Sequence, residues 1–312
     1  MEYIIITLTT LGILFIFLGL VNYIKILRNF NIVYKNIEFP KKKYIGIFIF
    51  IVLISFILLY LAYLNHIIFV DREYNYFINF TSFLLFLGGI FVYIVILLLL
   101  NLSSSLESFH LQLIRNLIRF ITIRDRYTSR HSVHVADLVK ILWEHLPLKM
   151  REKTSKNDLI QAALLHDIGK IMIPLKILNK KDPLSLEEYE EMKKHTTNCT
   201  IILDHFPTFK EIIPWIRSHH ERIDGNGYHG LKEHKIPLES KIIAVADTYS
   251  ALTTDRVYKK SISHEEAIKT LLEVSGTQLD KEIVNSFIKI KKESLNDINI
   301  NLNFDFNMQK YY

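Results

Sequence analysis

The chain has 312 residues, half of them apolar, and carries 38 Lys and Arg against 32 Asp and Glu for a net charge of +6. A single cysteine, Cys199, excludes a disulfide framework and fits a reducing compartment, and the modest excess charge, much of it in one short loop, gives no reason to expect a nucleic-acid polymer as partner. Long aliphatic runs crowd the first hundred positions and most of the histidines follow position 130, which predicts two parts in different solvents.

Three runs without Asp, Glu, Lys or Arg, at 3–24, 44–70 and 77–100, reach the length that crosses a bilayer, about 20 residues. The opening "MEYIII" lacks a basic flank, and no small-residue cleavage site follows it, so the first run reads as a span and not a signal peptide. Residues 1–101 are therefore expected to be a membrane domain of three helices in contact with lipid. The first connection carries Lys25, Arg28, Lys35, Lys41, Lys42 and Lys43 against Glu38, whereas the second balances Asp71 and Glu73 against Arg72. Positive charge stays on the cytoplasmic side. The N-terminus is thus expected outside, with everything after the third span in the cytoplasm.

Residues 102–123 follow as a linker helix, with Leu106, Phe109, Leu113, Leu117 and Phe120 recurring every three or four positions. Such a stripe either packs on its own domain or makes a parallel homodimer helix. Beyond it every periodic segment reads as helix, and no alternating run suggests a strand. Ser185 with Glu188 forms a capping box, flanked by Leu184 and Tyr189 as a hydrophobic staple. The expected class is all-α. Gly225, Gly227 and Gly230 crowd one loop, and 291–312 is an Asn- and Asp-rich tail.

The chemistry-bearing residues lie in 124–290: His131, His166-Asp167, His195, His219-His220 and Asp247. A lone histidine on an apolar face is commonly a core residue, but Asp167 directly follows Leu164, Leu165 and His166. A carboxylate there must be paired, protonated or metal-bound. Neighbours on a helix lie about 100° apart, so His166 and Asp167 can both reach one metal at a helix end, as can His219 and His220.

The ordered set "HSVHVA", "ALLHDIGKIMIP", "KKHT", "SHHERIDGNGYHG", "IIAVADTYSALTTDRVYKK" and "GTQLDKEIV" closely resembles the HD-GYP family, a bacterial branch of the HD-domain phosphohydrolases. The resemblance implies a membrane-anchored phosphodiesterase of the bacterial inner membrane that hydrolyses cyclic di-GMP to pGpG or GMP. Its alternatives are another cyclic dinucleotide as substrate, or a slow nucleotide-binding sensor. It implies one metal on His131, His166, Asp167 and Asp247, and a second on His195, His219 and His220, with Asp167 bridging. Two such cations lower the pKa of a shared water and bind a phosphoryl oxygen. Iron is expected (Fe/Fe or Fe/Mn), with manganese or zinc as alternatives for this imidazole and carboxylate set. Asp167 and Lys170 would be catalytic. Lys170, Arg256 and Lys259 would contact phosphate, Gly227 and Tyr228 would shape the substrate loop, and Glu221 and Asp224 would orient a histidine ligand.

The sequence also departs from the family's pattern. His229 stands where proline is usual, which is expected to loosen the loop. His134 stands where an arginine is usual, and Ser250 replaces an aspartate, with altered substrate contacts as the expected consequence at Ser250. Members with three metals carry a glutamate at the position of Tyr127, so two metals are expected here.

Overall fold

A computed structural model describes residues 2–33, 51, 53–63, 65, 76–124, 126–255 and 260–295. It divides into two compact units, Met1–His110 and Leu111–Tyr312.

In the N-terminal unit, α1 covers Glu2–Val33 and α2 covers Leu53–Tyr63, and α3, Tyr76–Arg124, begins there and ends in the C-terminal unit. Two stretches, Ile6–Ile24 and Phe80–Phe120, are long and apolar enough to cross a membrane. Part of the expected span 44–70 lies outside the described residues, and α2 within it is a shorter apolar helix. The expected third span and linker helix form one element. No Gly or Pro falls between Phe91 and Arg124 to break the helix, so α3 runs on without interruption. Ile16, Tyr23, Leu53, Tyr60 and Ile96 make a small core. The Tyr60 hydroxyl donates to the Leu85 carbonyl, and Tyr63 bonds Thr81 Oγ1 at 3.0 Å.

In the C-terminal unit the expected all-helical character holds, with no strand among the described residues beyond an isolated bridge between Ser275 and Leu279. The elements used below are α4 (Arg126–His145), α5 (Lys156–Leu165), a 3-10 turn (Ile168–Met172) and α6 (Leu186–Lys193). They continue with α7 (His195–Leu203), α8 (Ile213–Arg217), α9 (Leu238–Thr253), α10 (His264–Glu273) and α11 (Lys281–Phe287). The central helix is α5. Ser155 caps it by accepting from Asp158 N–H, and every residue from Leu159 to Leu165 is buried. A helix apolar all round belongs inside a domain, and α5 packs on α4, which packs in turn on α9. Leu138, Leu142, Leu159, Leu164, Phe209, Ile243 and Phe287 share this core, each apolar side chain contributing about 1.5–3 kcal/mol by leaving water.

The Ser185–Glu188 capping box forms as the sequence predicts, and Ser263 with Glu266 makes a second one on α10. The apolar stripe divides. Leu117, with Ile114 and Ile118, is buried in the core of the C-terminal unit and Leu113 packs against it, whereas Leu106, Phe109 and Phe120 are exposed.

Candidate metal centre

The ends of three helices and the faces of two others bring all seven predicted ligands together. His131 lies on α4, His195 opens α7 and Asp247 lies on α9. His166 and Asp167 stand at a helix end, as the sequence leads one to expect. α5 ends at Leu165, His166 caps it, and Asp167 starts the 3-10 turn. The turn then passes close to α7 at Gly169, where an added Cβ would stand 1.9 Å from the His195 carbonyl oxygen. The turn can lie against α7 only because no side chain intervenes. His219 and His220 likewise follow α8, beyond its last residue Arg217.

Three of the imidazoles are oriented by one device. His166 Nδ1 donates to the Ala163 carbonyl at 2.7 Å, His195 Nδ1 to Met192 at 2.7 Å and His219 Nδ1 to Ile216 at 2.6 Å. A carbonyl only accepts, so each Nδ1 carries the proton and each neutral ring presents a lone pair at Nε2. Those three Nε2 atoms, and Asp167 Oδ1, are buried without a hydrogen-bond partner. Such orphaned acceptors cost folding free energy unless something else satisfies them. The ligand atoms of His131, His166 and Asp167 lie within 4.8 Å of one another, as do those of His195, His219 and His220, and those of His166, His219 and Asp247. This donor set fits divalent cations of the iron, manganese or zinc type.

Electrostatics agree at His195, His219 and His220, whereas at His166 burial pushes the ring down but the adjacent Asp167 carboxylate outweighs it and raises the ring above its ordinary value. Burial lowers His195 to about 3 and His220 to about 4, and burial with the neighbouring imidazoles holds His219 well below its ordinary value. Neutral rings are what a metal requires. Burial pushes the two carboxyls upward, but Lys170 with His166 overcomes it at Asp167 and the His131 bond overcomes it at Asp247, so both are held well below the usual range. His131 Nε2 lies 2.8 Å from Asp247 Oδ1, and His195 Nε2 lies 3.6 Å from Asp167 Oδ1.

Lys170 Nζ stands 2.6 Å from Asp167 Oδ2, pairing with the carboxylate itself. A cavity of about 300 Å³ opens beside His219, His220 and Asp247, walled by Tyr189, Tyr228, Arg222 and Gln278. Tyr228 lies over His220 with ring centres 4.6 Å apart, and burial raises its phenol so that it stays protonated. Gly227 serves the loop, because a Cβ there would lie 2.5 Å from Glu221 Cα. Arg256 and Lys259 fall outside the described residues.

Glu221 and Asp224 bond the loop where the sequence suggests an imidazole. Glu221 accepts from the backbone N–H groups of His229 at 2.6 Å and Leu231 at 2.7 Å, while Asp224 accepts from Arg222 and from Asn226 N–H. The loop is also not loosened by His229. That residue donates an N–H that proline lacks, and its Nε2 lies 3.0 Å from Thr196 Oγ1, beside His195. Ser250, expected to alter substrate contacts, is instead fully buried beside His131 and His134 and does not line this cavity. Sequence reasoning missed Tyr189, Arg222 and Gln278 as cavity walls, although two of them sit inside the motifs quoted above.

The profile of the HD domain family matches residues 115–283. A cyclic di-GMP phosphodiesterase of Thermotoga maritima is 37% identical over 193 residues, which is 61% of this chain and 52% of that protein. The cyclic di-GMP phosphodiesterase PA4108 of Pseudomonas aeruginosa is 37% identical over 185 residues, 58% of this chain and 43% of that one. The 3'3'-cGAMP-specific phosphodiesterase 1 of Vibrio cholerae is 34% identical over 171 residues, 54% of this chain and 39% of that one. The chain spans about half the length, or less, of these curated relatives.

Proposed function

The chain belongs to the HD-domain family, and on that premise we propose that it is a metal-dependent phosphodiesterase of the HD-GYP branch that hydrolyses cyclic di-GMP to pGpG or GMP. The observation that carries this reading is the convergence of buried, unpartnered donors: Nε2 of His166, His195 and His219, with Asp167 Oδ1. His131, His166, Asp167 and Asp247 would hold one ion, and His195, His219, His220 and Asp167 the other, iron or manganese being preferred. When bound, such a pair polarises a phosphoryl oxygen and makes water nucleophilic at neutral pH.

The chain's own groups do the remaining work. Lys170 keeps Asp167 ionised and adds positive charge for phosphate, a task shared from the sequence with Arg256 and Lys259. Tyr228 and Tyr189, edge to face at 6.0 Å, offer apolar walls to a purine, and Glu221 and Asp224 hold the loop that presents Tyr228. Purified full-length chain, analysed for metal and incubated with cyclic di-GMP, is expected to release pGpG or GMP; no turnover with two ions bound would overturn the enzymatic reading in favour of a sensor.

A second substrate is favoured by one observation, the 34% identity to a cGAMP-specific relative. Turnover of 3'3'-cGAMP several-fold faster than of cyclic di-GMP would shift the assignment.

For the rest of the chain, the two long apolar helices and the basic first loop support anchoring in a cytoplasmic membrane with the N-terminus outside. Protease protection of tagged termini tests that orientation. Leu102, Leu106, Phe109, Leu113, Asn116 and Phe120 keep a 4–3 spacing along α3, and all but Leu113 are exposed. This supports a parallel homodimer, in which a single Asn sets register. A monomeric mass in detergent would refute it.

A further inference from the structure

His134 and Ser250, two departures from the family pattern that lie 116 positions apart in the chain, meet in the structure. Ser250 Oγ is 2.8 Å from His134 Nδ1 and 2.9 Å from His131 Nδ1. Ser250 and His134 have no exposed surface, and His131 is buried. The arrangement repeats one turn along a single pair of packed helices. His131 on α4 faces Asp247 on α9, and three residues further on each helix His134 faces Ser250.

The hydrogen-bonding inventory makes this contact directional. A hydroxyl has one proton and cannot donate to both rings, and a neutral imidazole carries one proton in total. If His131 offers its Nε2 lone pair to a cation beside Asp247, its proton must sit on Nδ1 and be donated to Ser250 Oγ. The Ser250 proton then goes to His134 Nδ1, which must be bare, leaving the His134 proton on Nε2, a buried atom with no hydrogen-bond partner among the described residues. Each group keeps one proton throughout, and no charge is buried.

We propose that Ser250 and His134 form an uncharged hydrogen-bond relay that positions His131, locking the tautomer and ring angle in which Nε2 faces the metal centre. This rests on the metal-centre reading above. His166, His195 and His219 obtain the same result from a carbonyl three residues back. His131 instead turns its Nδ1 to Ser250, so the partner is supplied by a different helix. Neither Ser250 nor His134 touches the cavity, so both are positioning residues.

The test is Mn²⁺ binding to the full-length chain in detergent, followed by electron paramagnetic resonance. Ser250→Ala is expected to weaken one of the bound ions about 10- to 100-fold, the usual scale for losing the partner of a ligand histidine. His134→Leu removes only the far acceptor and should weaken it less, about threefold to tenfold on the same scale. His134→Asn places an acceptor where Nδ1 was and should restore binding to near wild type. A purely structural role would not separate Asn from Leu in this way. Wild-type affinity in Ser250→Ala, or equal loss in His134→Leu and His134→Asn, overturns the relay alone. A wild-type chain that binds no Mn²⁺ overturns the metal-centre reading and the relay with it.

Discussion

The two units solve the same packing problem with opposite faces. In the N-terminal unit large apolar side chains point outward, Phe91 at 68% and Leu98 at 62% exposure, while the hydroxyls of Thr9 and Ser82 are fully buried. In the C-terminal unit leucines fill the interior, and His166, Asp167, His195 and His219 lie among them at 1% exposure. An outer face like the first suits lipid and not water, because helices have already satisfied their backbone groups internally. A polar interior like the second suits an ion, because among the described residues no hydrogen bond reaches Nε2 of His166, His195 or His219, or Asp167 Oδ1. Burial of polarity therefore means different things in the two units. Short hydroxyls in the first bond neighbouring side chains or carbonyls, whereas ionisable groups in the second converge on one point.

The largest effect expected from this contrast comes at Asp167. Asp167→Ala removes the residue shared by both proposed ion sites and should cost activity on cyclic di-GMP on the order of 10³-fold, with loss of both ions by elemental analysis. Retention of the ions would break the claim that the interior is organised around this carboxylate.

Glycines sharpen the comparison next. Each unit uses one to bring two backbones together: a Cβ on Gly169 would stand 1.9 Å from His195 O, and one on Gly89 2.7 Å from Gly12 O. Both contacts are with backbone, which cannot swing aside. Gly169→Ala should cost about 3 kcal/mol or more and Gly89→Ala about 1–3 kcal/mol. The two tryptophans, Trp143 and Trp215, both pack on the core of the C-terminal unit, so their fluorescence reports on that unit. Its thermal midpoint should fall in Gly169→Ala and stay put in Gly89→Ala. Equal shifts would show that the two units unfold as one.

Cys199 gives a pH test of the buried interior. Its thiol donates to the Thr196 carbonyl, and burial pushes it up to about 11, against about 8.5 for a free thiol. Between those values the unfolded chain loses a proton that the folded chain keeps, so ionisation favours unfolding. The contribution is whole below about pH 8.5 and is lost as pH rises toward 11, by about 3 kcal/mol. Wild type should lose stability to denaturant faster than Cys199→Ala across that window. Parallel curves would contradict so closed an environment around α7.

Much of the candidate metal centre was legible because its chemistry is carried by residue type and order. An Asp after two leucines and a His demands a partner wherever the chain folds, and the remaining histidines supply one. Orientation was not legible. His166 and Asp167 read correctly as a helix-end pair, but the close approach of their turn to α7 depends on what packs against Gly169, a fact held in His195, 26 positions away. Ser250 reads from the sequence as altering substrate contacts because its neighbours His131 and His134 belong to another helix. The apolar stripe of α3 hid a division for the same reason, since Leu117 and Phe120 share a period but only Leu117 meets the core. Glu221 read as a histidine partner by proximity in sequence, yet two loop N–H groups reach it first.

The smallest expected effect concerns that loop. His229 ties it twice, by its N–H to Glu221 and by its ring to Thr196. His229→Ala removes the ring contact only and should cost about 0.5–1.5 kcal/mol, whereas His229→Pro removes both and leaves a buried carboxylate short of a donor, at about 1–3 kcal/mol. Because the cost falls on local order, it should appear as faster tryptic cleavage near Arg222 and Lys232, about threefold for Ala and tenfold for Pro on that energy scale, with the Trp143 and Trp215 fluorescence midpoint little changed. Proline leaving cleavage as slow as wild type would mean that a rigid φ holds the loop as well as two hydrogen bonds do. A midpoint shift as large as that of Gly169→Ala would instead make the loop part of the core, joining what the buried Glu221 now separates.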